Sequence, residues 1–148
     1  MNILVTGGAG FIGSFLVDRL VKDGHKVTIY DNLEPQVHQG KIPVYLNKHA
    51  RFIKADVCDK DKLDKALKSI DVVFHKAAMV GVGQSMYEIA KYTKTNTYGT
   101  AVLLDLIVNK HRDHIRKLVV AASMSEYGEG LYHCNICGSI KPDLRNES

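Results

Sequence analysis

No apolar run in this chain approaches the length needed to span a membrane. Its N-terminus lacks the basic, apolar and small-residue segments of a secretory signal, so a cytoplasmic protein is expected. It has no basic stripe interleaved with aromatics, and Lys60, Lys62, Lys65 and Lys68 read as a solvated helix face, which argues against a nucleic-acid partner. Cysteine is scarce: of three, Cys58 stands alone and Cys134 and Cys137 form a Cys-x-x-Cys pair. In a cytosolic chain such a pair suggests metal or redox chemistry more than a structural disulfide. Internal repeats and low-complexity segments are also missing. What remains is ordinary: 148 residues, 45% hydrophobic and 24% charged, enough for one domain with a proper core. The net charge of +4 suits an anionic ligand such as a nucleotide.

The stretch Val5-Thr6-Gly7-Gly8-Ala9-Gly10-Phe11-Ile12-Gly13 organises the rest. An apolar strand candidate, Asn2 to Val5, runs into it and an amphipathic helix candidate leaves it. Gly8-x-Gly10-x-x-Gly13 fits the dinucleotide fingerprint, with Gly7 a further glycine just before it. One glycine permits the tight turn, one lets the backbone approach a pyrophosphate, and one lets the helix pack on the strand. The helix N-terminus offers free N–H groups and partial positive charge to phosphates. A second strand, Lys26 to Tyr30, ends in Asp31, where a carboxylate accepts hydrogen bonds from a ribose 2′-hydroxyl and repels a 2′-phosphate. NAD is therefore expected over NADP.

Helix one is expected from Phe11 to Lys22, with Ile12, Leu16 and Leu20 on its apolar stripe and Phe15 widening it. Asp31 to Ala50 is a long, weakly patterned connection. Strand three spans Arg51 to Ala55. Asp59 then caps a helix over Lys60 to Ser69 with Leu63, Ala66 and Leu67 inward. Strand four is Asp71 to His75, a long helix covers roughly Ser85 to Asn109, and strand five is Lys117 to Ala122. Beyond Glu129 the pattern fades, and the last dozen residues read as loop. The alternation predicts an α/β fold of Rossmann type, a parallel sheet with helices on both faces. Ligands then bind at the carboxyl ends of the strands: Thr6, Asp31, Asp56, His75 and Ser123.

From Met1 to about Gly130 the chain resembles the extended short-chain dehydrogenase/reductases, the NAD-dependent nucleotide-sugar epimerases and dehydratases. The resemblance rests on Thr6 to Gly13, Tyr30-Asp31-Asn32-Leu33, Asp56-Val57, His75-Lys76-Ala77-Ala78, Asn96-Thr97-Tyr98-Gly99-Thr100 and Ala122-Ser123-Met124-Ser125-Glu126-Tyr127-Gly128. Lys76 stands where the family usually has an apolar residue. The resemblance implies cofactor contacts from Gly7, Gly10, Phe11, Ile12, Gly13, Asp31, Asn32, Asp56, Val57, Ala77, Ala78 and Asn96. It implies that Ser123, with Ser125 as alternative, hydrogen-bonds a substrate hydroxyl as that group becomes a carbonyl. The family's catalytic tyrosine and lysine form a Tyr-x-x-x-Lys pair after this serine. Here no tyrosine follows Tyr132, and the string Tyr87-Glu88-Ile89-Ala90-Lys91 comes too early.

The expectation is thus a 4-epimerase or dehydratase of nucleotide-sugars, similar to dTDP-rhamnose or UDP-glucose 4-epimerases. Its chain would be truncated before the catalytic pair, inactive by itself and able to form homo-oligomers. The alternative is a non-catalytic dinucleotide-binding module or gene remnant. Residues 1–130 read as an NAD-binding domain and 131–148 as a cysteine-containing tail. Some dTDP-rhamnose 4-epimerase types carry a small cysteine-rich insertion at this place, so the tail reads as half of a zinc-binding insertion. Cys134 and Cys137 supply two of the four ligands that a structural zinc needs.

Overall fold

The computed structural model describes residues 1–123, 126 and 130–142. Five strands form one parallel sheet: β1 (Asn2–Thr6), β2 (Lys26–Asp31), β3 (Arg51–Lys54), β4 (Val72–His75) and β5 (Lys117–Val120), in the order β3-β2-β1-β4-β5. The order reverses beside β1, which opens a crevice at the carboxyl ends of the central strands. Strand β1 is buried on both faces because its residues alternate between two cores. Leu4 joins Tyr30 and Val73 beneath α3 (Lys60–Leu67) and α6 (Gly99–Leu106). Ile3 and Val5 join Val27, Ile29 and Val72 beneath α1 (Phe11–Lys22). The Rossmann-type expectation is met.

The stripe expected on α1 packs only in part. Gly13, Val17 and Leu20 face the sheet and Leu16 is half-buried, whereas Ile12 and Phe15 are 64% and 67% exposed. The cause lies at the helix start. A Cβ at Gly13 would run into the Gly7 carbonyl and lie 2.8 Å from the Gly8 Cα, so the face without a side chain there is the one that closes on the turn after β1. That fixes the rotation of the whole helix. Helix α3 follows its expected stripe, with Leu63 and Leu67 buried and the Asp59 carboxylate accepting the Lys62 N–H at 3.1 Å.

The connection after β2 holds a short turn of helix, α2 (Pro35–His38). The long helix begins later than expected. A separate turn, α4 (Val82–Ser85), precedes α5 (Ile89–Tyr92), which runs on through a π-helical segment, Thr93–Tyr98, into α6 and a second one, Ile107–His111. Tyr87 thus falls in a break before α5. The stretch expected to be loop near the chain's end holds an antiparallel hairpin, β6 (Tyr132–Cys134) with β7 (Gly138–Ile140). Cys134 to Cys137 form its turn, and Gly138 closes it at φ +76°, a conformation that favours glycine. Among the described residues no helix is long and apolar enough to cross a membrane.

Candidate functional site

The crevice is a cleft of about 760 Å³ running over the ends of all five strands. Its centre is the turn from β1 into α1. Gly7 sits at φ +65°, and a Cβ there would meet the Ala77 backbone N at 2.7 Å, so the loops after β1 and β4 touch directly. Its N–H donates to the Tyr30 carbonyl at 2.9 Å, which ties the turn to β2. Gly10 caps α1 without a side chain, and the first turn carries no acid. The N–H groups of Phe11, Ile12 and Gly13 have no partner within a helix at this position, and the helix end adds partial positive charge. This end lines the cleft and fits a pyrophosphate.

On one side of that turn stands Asp31, 8% exposed. Its Oδ2 accepts the Ala9 N–H at 3.0 Å and its Oδ1 the Leu33 N–H at 2.9 Å. Each oxygen keeps one further lone pair for a hydroxyl donor. Asn32 and Val57 line the cleft beside it. Asp56 does not. Its carboxylate accepts the Cys58 N–H at 2.8 Å and the Asn32 amide at 3.0 Å, so it positions the cleft's edge. Burial pushes that carboxyl upward, but those two donors outweigh it and hold it below the usual range. Burial and the nearby Asp56 push the Cys58 thiol up to about 11.

On the other side, Ala77, Ala78, Met79 and Asn96 line the cleft, and Ser123 follows β5 at its far end. The Asn96 amide clamps the β4 loop, accepting the Met79 N–H at 2.8 Å and donating to the Met79 carbonyl at 3.0 Å. Asn96 sits in the π-helical segment, a distortion common at functional sites. Ser125 and Tyr127 lie outside the described residues. Sequence reasoning left out Thr100, Lys76, Glu34 and His38, which also line the cleft. Thr100 lies inside a quoted motif, Asn96 to Thr100, and its placement over His75 depends on tertiary packing.

The two thiols of Cys134 and Cys137 lie 3.3 Å apart in the hairpin turn and outside the cleft. The N–H groups of Cys137 and Ile136 point at the Cys134 sulfur, at 3.5 and 3.4 Å, and lower that thiol below the ordinary cysteine value. Among the described residues no group of three or more His, Cys, Asp or Glu side chains is placed to hold a metal, so the pair remains two ligands short of a structural zinc.

The sequence profile of the NAD dependent epimerase/dehydratase family matches residues 3–138. The dTDP-L-rhamnose 4-epimerase of Burkholderia thailandensis is 38% identical over 134 residues, covering 88% of this chain and 37% of that protein. The crystal structure of the UDP-glucose 4-epimerase of Thermotoga maritima with UDP-glucose superposes with a TM-score of 0.76 at 37% identity, covering 89% of this chain and 41% of that one. The UDP-glucose 4-epimerase of Brucella ovis, solved in complex with NAD, gives a TM-score of 0.72 at 32% identity, over 86% of this chain and 37% of that one. The chain thus spans well under half the length of these relatives.

Proposed function

Because this chain belongs to the NAD-dependent epimerase/dehydratase family, we propose that it is the cofactor-binding part of a nucleotide-sugar 4-epimerase or dehydratase. The observation that carries this reading is the cleft itself. The open N-terminus of α1 faces a buried carboxylate with acceptor capacity left, as a dinucleotide with free ribose hydroxyls requires. NAD, when bound, supplies a reversible hydride acceptor. The chain's own residues then divide the work. The first turn of α1 holds the pyrophosphate, Asp31 holds the adenine-side ribose, and Asn32 and Val57 border the adenine. Ala77, Ala78 and Asn96 wall the second nucleoside. Ser123, at the end of β5, hydrogen-bonds the sugar hydroxyl that loses its hydride.

The test is calorimetric titration of NAD and NADP. NAD is expected to bind tighter, and Asp31→Ala to narrow the gap by about tenfold, the worth of one charge-assisted hydrogen bond. Equal or tighter binding of NADP by the unaltered chain would sink the reading of Asp31.

Residues 131–148 form, in this reading, a separate cysteine-bearing element whose two thiols take zinc only when further ligands complete the set. Elemental analysis of the purified chain should then find clearly less than one zinc per molecule after chelation. A full equivalent that survives the chelator would show a complete site. Among the described residues β5 is an edge strand, with Val120 half exposed, and this supports self-association through that strand. The partner class on this reading is a nucleotide-sugar, with no nucleic acid and no membrane.

A further inference from the structure

His75 ends β4 at the floor of the cleft, 4% exposed, with both ring nitrogens engaged. The surrounding hydroxyls leave it one arrangement of protons. Thr6 Oγ1 accepts the N–H groups of Lys76 and Ala77, both at 3.2 Å. Its own proton therefore goes to His75 Nδ1, at 2.7 Å. The ring proton then sits on Nε2 and is donated to Thr100 Oγ1 at 3.0 Å. Thr100 Oγ1 donates in turn to the Asn96 carbonyl at 2.6 Å, which ends the relay. The relay runs from β1 through β4 and α6 into the π-helical segment, and Thr6, His75 and Thr100 each both accept and donate.

Its two ends grip the same loop. Thr6 holds the start, at Lys76 and Ala77, and Asn96 holds Met79 through both atoms of its amide. We propose that His75 is a positioning residue: acting through Thr6 and Thr100, it fixes residues 76–79 as the wall for the nicotinamide half of NAD. This rests on the cleft being a dinucleotide site. Asp31 and Val57 mark the adenosine side of β1, and the pyrophosphate sits over β1, so the second nucleoside falls over β4 and β5. His75 touches no part of the bound molecule on this account. A side chain of equal volume without nitrogens would fill the core but leave Thr6 and Thr100 without their shared partner.

Affinities for NAD and for ADP, which lacks the second nucleoside, separate this from a general structural role. In the 148-residue chain, His75→Phe is expected to weaken NAD by about tenfold, the cost of about one buried group left unsatisfied, and ADP by less than about twofold. Thr100→Val should show the same split, and His75→Gln, which keeps a donor toward Thr100, should recover part of the NAD affinity. The proposal is overturned if NAD binding by His75→Phe and Thr100→Val stays at the unaltered level, or if NAD and ADP weaken by the same factor. Failure of the unaltered chain to bind either nucleotide would instead remove the cleft reading, and the proposal with it, before any variant is compared.

Discussion

Gly13→Ala is expected to abolish measurable NAD binding. The added Cβ would run into the Gly7 carbonyl oxygen and lie 2.8 Å from the Gly8 Cα, both backbone atoms of the turn that forms the phosphate site. Neither is a flexible side-chain end that can swing away. Helix α1 must lift or rotate, and overpacking of this kind costs about 1–3 kcal/mol of stability. On the proposed reading its N-terminus then moves off the phosphates, and losing two hydrogen bonds to a charged group, at about 1.5–3 kcal/mol each, costs about a hundredfold or more in affinity. The contrast is Gly83→Ala in α4, where a Cβ meets nothing within 4 Å. Thermal melts recorded beside calorimetry separate the two costs: both variants should still unfold cooperatively, and only Gly13→Ala should lose the cofactor. Normal NAD affinity in Gly13→Ala would show that α1 does not hold the pyrophosphate.

Incubated with NAD and a nucleotide-sugar, the 148-residue chain by itself is expected to yield no epimerised or dehydrated product above background. Oxidation of a sugar hydroxyl needs a group to take its proton as hydride leaves, and a positioned base is typically worth about 10²–10⁴-fold in rate. Ser123, proposed to hydrogen-bond that hydroxyl, is no base at neutral pH. The Tyr87-to-Lys91 string cannot substitute for one. Tyr87 stands in the break before α5, 76% exposed, and Lys91 is held by Glu34 at 2.9 Å and Glu88 at 3.6 Å. Neither side chain lines the cleft. Chromatography of the sugar nucleotides over a range of chain concentrations decides the point. Product that scales with the chain and disappears in Ser123→Ala would mean that a base exists among residues given no such role here.

Much of this protein is written in short-range patterns. Apolar runs of strand length between helical periods predict parallel strands, because a strand covered on both faces has no polar side to display. Glycines at 7, 10 and 13 between a strand and a helix predict a phosphate turn, and an acid ending β2 predicts the ribose contact. Each of these depends on a few neighbouring residues; the parallel strands form as expected, and the glycine turn and Asp31 lie together in one cleft.

The features that went differently depend on distant backbone. Phe15 and Ile12 are apolar and at helical spacing, yet they face outward, since the close approach of Gly13 to Gly7 and Gly8 sets the rotation of α1. The hairpin around Cys134 and Cys137 is too short for a periodic signal. Asp56, a cofactor contact by resemblance, accepts hydrogen bonds from Asn32 and Cys58, a partnership made only when the ends of β2 and β3 come together. Thr6, His75, Asn96 and Thr100 come from four elements and become one hydrogen-bonded chain only when β1 and β4 lie side by side beneath the π-helical turn and α6. The sequence by itself determined the sheet, the glycine turn after β1 and the acid beside it, because backbone preference and burial act over a few residues. Tertiary structure alone decided which hydroxyl meets which nitrogen, because a hydrogen bond forms only within about 3 Å and no spacing along the chain encodes that distance.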